Sequence, residues 1–414
     1  MSTPDHLPFS GYRVLDLTNV IAGPYCGHHL AMMGADVIKI ESREGDLARR
    51  LGADRELNAR NMGASFLALS PGKRAITLNL KSEGGKEIFK RLAATADVVL
   101  ENFRPGVMDR LGVGYEVLRA LRPGLVYCAI SGFGQEGPWG GKAAYDQIVQ
   151  GLSGAMAATG TQQSGPLRVG YPLSDTVAGI NAAFGIAAAL TQRARTEAAG
   201  QQPEAQFVDV SMLDATISIM GWATSNQLIA GQEPVLMGND NFTASPSGSF
   251  ATGDGLINVA ANMQHQFETL ARTLERPELI DDARFANPEA RLVNREALKA
   301  EMERTLAGHG NAHWVEVLNG AGIPCGEVLS LREALELPPV QHRGSVREIH
   351  DVPDVAGPGQ PGAIKVFTGG YKLSGGAPHI GAAPATLGQH NAQVLAELGY
   401  SEEEVAALAE EGVI

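Results

Sequence analysis

Residues 12–41 read YRVLDLTNVIAGPYCGHHLAMMGADVIKIE. Tyr12–Thr18 and Ala35–Glu41 are short apolar runs with the β-branched content of buried strands. Between them Tyr25–Gly34 reads as a helix that Gly34 closes. The result is a strand–helix–strand unit. The alternation continues: Ser82 is placed to cap a helix carrying Ile88, Phe89 and Leu92 on one face, and the strand Val98–Asn102 follows. Another helix and the strand Leu125–Ile130 come next. Repeated units of this kind predict an α/β fold with a doubly wound parallel sheet, whose ligands bind beyond the carboxyl ends of the strands.

Further along, Thr176–Arg195 is an Ala- and Gly-rich helix suited to close packing. Gln206–Val210 reads as a strand, Met212–Ala230 as a helix, and Glu233–Ser249 as a polar loop. Gly253-Asp254-Gly255, between apolar stretches, marks a hairpin over Ser249–Ala261, and amphipathic helices follow to about residue 320. This second region is a smaller α+β domain. Pro338, Pro339, Pro353, Pro358 and Pro361 predict a long irregular connection, and Ser401 with Glu404 has capping-box spacing at a last helix.

Composition narrows the function. Among 414 residues, 33 Lys and Arg stand against 46 Asp and Glu, a net charge of −13, which argues against a nucleic-acid partner. Residues 1–110 nevertheless carry +2 and the remainder −15. That asymmetry suits a local cationic site for a small polyphosphorylated ligand, or equally a chance distribution over solvated helices. Three widely spaced cysteines support neither a disulfide framework nor a zinc motif. No secretory signal is visible, and the nearly uncharged run Val177–Leu190 is short for a membrane span. A cytoplasmic protein is expected, with no membrane partner.

No GxGxxG follows the first strand, where Asn19-Val20-Ile21-Ala22-Gly23-Pro24 stands instead, and GxxxxGK[ST], HExxH and GxSxG do not occur. Dinucleotide, P-loop, zinc-hydrolase and serine-hydrolase chemistries lose their main support. No metal site is expected, and His28 and His29 read as helix residues.

What remains is a series of small signals in order: Asn19–Pro24, Gly45-Asp46-x-x-Arg49, Gly72-Lys73-Arg74, KRAITLNLK, ADVVLENFRPGVMDRLG, Tyr145-Asp146, and Leu173-Ser174-Asp175 leading into the alanine-rich helix. Together they resemble the family III CoA-transferases, the group of the formyl-CoA and carnitine CoA-transferases, along most of the chain. The resemblance implies an acyl-CoA:carboxylate CoA-transferase with no tightly bound cofactor, a CoA thioester donor and a small, dicarboxylic acceptor. It also implies an interlocked homodimer. The expected division is 1–205 for the large CoA-binding domain, 206–225 for a linker helix, 226–330 for the small domain and 331–414 for a linker and C-terminal part that complete the large one.

By the same resemblance Asp175 is the catalytic nucleophile. A carboxylate with an ordinary pKa near 3.9 is ionised at neutral pH and needs no neighbouring base, unlike serine. The bland alternative is that Asp175 merely caps its helix. CoA contacts are expected at Ile21, Ala22, Arg43, Leu78, Asn79, Lys81, Asn102, Phe103, Arg104, Arg110, Lys142 and Tyr145, with the cations meeting phosphates. Ser42 stands where the family often has Arg, with Arg43 one step later, and the sequence does not say which residue takes that Arg's place. Met237–Gly248 reads as either a lid or an ordinary surface loop. Two rival readings are an α-methylacyl-CoA racemase and a non-catalytic CoA-binding protein. The racemases carry His where this chain has Tyr145, a poor base at pH 7.

Overall fold

The computed structural model describes residues 6–414. Six strands, Arg13–Asp16 (β1), Asp36–Glu41 (β2), Lys73–Thr77 (β3), Val98–Glu101 (β4), Val126–Ser131 (β5) and Gln206–Ser211 (β6), form one parallel sheet in the order β3-β2-β1-β4-β5-β6. The order reverses direction between β1 and β4, which opens a crevice beyond their carboxyl ends.

Side-chain alternation along the strands divides the core into two layers. Val14 and Val37 join one face with Leu30, Ile186 and Leu190, while Leu15, Ile38 and Val99 join the other with Ile88, Phe89 and Leu92. The helix Glu83–Ala93 is entered as expected, with the Ser82 hydroxyl accepting from Gly85 N–H at 3.1 Å. Burying each of its three large apolar side chains contributes about 1.5–3 kcal/mol. The C-terminal segment packs on the same layer through Val394, Leu395, Val413 and Ile414. It also covers the outer edge of the sheet: His390 pairs with Ala75, its N–H donating to the carbonyl and its Nδ1 accepting the amide. Asn391 and Thr77 exchange two bonds of 2.8 Å. Pairing of this kind removes the exposed edge that β3 would otherwise present.

The described residues form two compact units, 6–156, 168–233 and 343–414 in the first and 157–167 and 234–342 in the second. Three expectations need correction. The segment 157–167, expected within the large domain, is a small hairpin of the second unit. The expected linker helix over 206–225 begins with β6, and the single helix expected to Ala230 is broken: Met212–Ser218 ends before Gly221, which takes φ +56°, and two short turns follow to Ala230. The proline-rich region is not irregular. Pro338–Arg343 is helical, with Pro at the start where a missing N–H costs nothing, and Val346–Gly357 pairs with Gln360–Phe367 in a long bulged hairpin that tolerates its prolines at irregular positions.

The second unit holds the hairpin Ser247–Ala251 and Leu256–Ala260, extended by Cys325–Glu327, around a core of Phe250, Ile257, Phe267, Phe285 and Trp314. The loop 237–248 is tied within this unit: Gly238 N–H donates to Gly160 O at 2.6 Å, and Arg295 donates to Asn241 O at 3.0 Å.

Candidate active site

Three buried ion pairs lie beneath the carboxyl end of β1. Lys73 meets Asp16 at 2.9 Å, Lys39 meets Asp46 at 2.9 Å, and Arg49 grips Glu41 with two bonds of 2.7 Å. Each cation also shapes backbone: Lys39 donates to Thr18 O, Lys73 to Pro24 O and Arg49 to Ala385 O. Burial alone would raise the Asp16 carboxyl, but Lys73, Lys39 and Thr18 together outweigh it and leave it below its usual range. Three of the basic residues behind the charge asymmetry, Lys39, Lys73 and Arg49, are therefore spent inside the protein. The Gly45-Asp46-x-x-Arg49 motif acquires a structural meaning, since Asp46 also receives Val20 N–H at 2.9 Å and holds that β-branched residue at φ +68°. A residue of this type takes that conformation only when its surroundings impose it.

Asn19, next in chain to Val20, is clamped from across the switch point. Its N–H donates to Asn102 Oδ1 at 2.8 Å, and Asn102 Nδ2 donates back to its carbonyl at 2.9 Å. Under this clamp Glu101 is buried, and burial pushes its carboxyl up to about 7 although Phe103 N–H and the Tyr127 hydroxyl bond to it.

Of the expected CoA contacts, Ile21, Ala22, Arg43, Leu78, Asn79, Lys81, Asn102, Phe103, Arg104 and Arg110 all lie beyond the carboxyl ends of β1 to β4. Arg43, Lys81, Arg104 and Arg110 are exposed. The Glu44 carboxyl beside the first two is lowered first by its hydrogen bonds to Ser42 and the backbone, then by the charges of Lys81 and Arg43. Leu78 and Asn79 depart from the expectation for their side chains. Leu78 is buried in the core, the Asn79 amide is spent on Gly412 O and Lys81 N–H, and the two backbone N–H groups donate to Glu41 O and Val413 O. Lys142 lies 3.8 Å from the Trp139 ring centroid, and Tyr145 is exposed.

Asp175 belongs to the first turn of the helix Leu173–Ala198 (α2), which crosses the helix Ala22–Met32 (α1). The crossing is close because Gly179 has no side chain: a Cβ there would stand 2.5 Å from Ala22 O. Asp175 is one turn earlier on the same face, which puts its carboxyl on the side of α2 that meets the start of α1. By length and composition α2 would span a membrane, yet its apolar side packs in the sheet's core through Val177, Ala182, Ile186 and Leu190.

Asp175 does not cap α2. That role falls to Asp146, whose Oδ1 accepts Ser174 N–H at 2.7 Å and Asp175 N–H at 3.4 Å. Burial first, and then the Asp146 charge, push the Asp175 carboxyl up to about 7. The expectation of a carboxylate fully ionised at neutral pH is thus corrected: half-buried beside a like charge, it titrates near neutrality. Sequence reasoning quoted Asp146 only as a motif partner and passed over Gln150. The available signal was their i,i+4 spacing on one helix. Among the described residues no group of three or more His, Cys, Asp or Glu is placed to hold a metal.

The six-stranded parallel sheet, with a core layer on each face and its order reversing between β1 and β4, defines the class as a doubly wound α/β protein. The chain belongs to CoA-transferase family III, whose model matches residues 9–391. It is 40% identical to an acetyl-CoA:oxalate CoA-transferase of Acetobacter aceti over 80% of this chain and 83% of that one. It is 34% identical to a succinyl-CoA:glutarate CoA-transferase of Mus musculus over 98% and 90%. A CaiB/BaiF family protein from Brucella suis superposes with a TM-score of 0.82 at 32% identity, covering 95% of this chain and 99% of that one. The protein is therefore a CoA-transferase.

Proposed function

We propose that the protein moves CoA from an acyl-CoA thioester to a small dicarboxylic acid through two covalent states of Asp175. The observation that carries this reading is the Asp175 carboxyl itself: relieved of capping by Asp146, half-buried, and set on the face of α2 that meets the start of α1. The oxalate and glutarate in the relatives' names support the acceptor class.

In this mechanism an Asp175 carboxylate oxygen attacks the thioester carbonyl and expels the CoA thiolate, leaving a mixed anhydride. The thiolate then attacks the aspartyl carbonyl, releases the donor as a carboxylate and leaves an aspartyl-CoA thioester. The acceptor carboxylate attacks that thioester, CoA leaves again, and its return to the acceptor's carbonyl frees Asp175. No proton changes hands between substrates, so a general base is unnecessary. Each step trades one activated carboxyl for another, and positioning supplies roughly 7–11 kcal/mol of the barrier. Arg43, Lys81, Arg104 and Arg110 would meet phosphates, with Asn102, Phe103 and the backbone at 21–22 along the rest of the coenzyme, and Lys142 and Tyr145 nearer Asp175.

The reading extends to a homodimer. Ile180 and Phe184, one turn apart on α2, are 49% and 76% exposed, and Trp222, Leu228 and Ile229 are 60%, 80% and 86% exposed. Apolar surface this extensive calls for a cover, and a second copy is the one implied. Light scattering that returned only monomer would remove this part.

The test of the whole is to incubate the protein with acetyl-CoA or succinyl-CoA and a panel of mono- and dicarboxylic acids and to identify CoA esters by mass spectrometry. Acyl exchange is expected, together with hydroxylamine- or borohydride-dependent modification of Asp175 during turnover. Asp175→Ala is expected to bind CoA and transfer none. Transfer by a folded Ala variant would overturn the mechanism, and α-carbon deuterium exchange without transfer would select the racemase.

A further inference from the structure

Gln150 is fully buried, and all its polar atoms are used within the first unit. Its Nε2 donates to Asp146 Oδ2 at 2.7 Å and to Tyr171 O at 3.2 Å, while its Oε1 accepts Val169 N–H at 2.8 Å. It thus joins the helix Asp146–Leu152 to the segment that leads into α2. One oxygen of Asp146 faces Gln150 and the other faces the amides of Ser174 and Asp175. A carboxylate held at both oxygens cannot rotate away, and a buried amide with three partners has no alternative pose.

We propose that Gln150 is a positioning residue for the reaction: by holding the Asp146 carboxylate against the first turn of α2, it fixes where the Asp175 carboxyl stands. The proposal rests on Asp175 as the reacting group. The relay is Gln150 amide, Asp146 carboxylate, helix amides, Asp175, and Gln150 itself meets no substrate. The influence of Asp146 on the Asp175 carboxyl agrees with this path.

Two variants test it. Gln150→Met keeps an unbranched side chain of similar length and removes the amide, which frees Asp146 to turn outward. kcat is expected to fall about 10- to 100-fold with KM for the acyl-CoA within about twofold of the parent, as for a small displacement of a reacting group. The acid limb of the pH–rate profile moves to lower pH. Gln150→Glu adds a carboxyl beside Asp146 and moves the limb to higher pH, so it decides the matter if the Met variant does not fold. In a double-mutant cycle, Gln150→Met in an Asp146→Asn background is expected to cost less than threefold. Titration of Asp175 is followed in parallel by carboxyl carbon NMR, assigned with Asp175→Asn. Asp175 titrating as in the parent in both variants, or additive losses in the cycle, would overturn the proposal. Shifted Asp175 titration in the variants, with no transfer of CoA by the parent, would instead dispose of the proposed transfer mechanism and leave intact only the control of Asp175 by Gln150 through Asp146.

Discussion

Asn102 holds the backbone of Asn19 by both its amide and its carbonyl, at 2.8 and 2.9 Å, across the point where the sheet reverses its order. The loops after β1 and β4 are thereby one rigid rim, carrying Ile21 and Ala22 on one side and Phe103 and Arg104 on the other.

Cutting this clamp should loosen coenzyme binding more than the fold. Asn102→Ala loses two hydrogen bonds, each worth about 0.5–1.5 kcal/mol. Calorimetric titration with CoA is expected to show at least tenfold weaker binding, with only a modest fall in the urea midpoint. Unchanged affinity would mean that the rim does not hold the coenzyme.

Activity should follow the ionisation of Asp175. In the proposed mechanism the carboxylate is the attacking form, and burial and Asp146 push the carboxyl up to about 7, so kcat/KM is expected to rise about tenfold per pH unit below 7 and level off above it. A profile flat from pH 5 to 9 would be incompatible with the raised carboxyl.

The same shift has a stability consequence of opposite sense. A carboxyl raised in the folded state from 3.8 to about 7 favours folding only while protonated in both states, and its ionisation opposes folding as pH rises through that interval. Asp175→Asn should match the parent near pH 3.5 and become progressively more stable than it up to about pH 7. Denaturant midpoints across this range measure the difference. A parent as stable as the Asn variant at pH 8 would contradict it.

The α1–α2 crossing should not tolerate a side chain at position 179. Gly179→Ala places a Cβ against Ala22 O, and relief requires the helices to part, at a cost of about 1–3 kcal/mol. Transfer should fall with stability, because Asp175 rides on α2. Thermal melting alongside the mass-spectrometric assay shows whether both drop.

Removing one partner of a buried pair should cost more than removing both. Lys73→Met leaves Asp16 charged and buried, a loss of about 3–5 kcal/mol, whereas Lys73→Met with Asp16→Leu should recover most of it. Equal destabilisation by the single and double variants would show that the ion pair itself sustains the loop after β1.

Strands and helices were legible where periodicity and caps are local: Ser82, the alternation through Val14 and Leu15, and the Ser401–Glu404 box appear where expected. The hairpin over 346–367 was hidden by prolines that usually break strands, and the helix after β6 was overextended across Gly221. The basic balance of residues 1–110 suggested a local cationic site because sequence shows charge but not its partner: Lys39, Lys73 and Arg49 are each matched by a buried carboxylate.

The order of residues alone determined the sheet's class, the place of Asp175 at the head of a small-residue helix and the family, since all three are written in short-range pattern and motif. Tertiary structure alone decided that Asp146 caps that helix in place of Asp175, that Gln150 secures Asp146, and that the Asp175 carboxyl is pushed up to about 7. Burial and the approach of like charges depend on segments about 30 residues apart meeting in space, and no local pattern encodes that meeting.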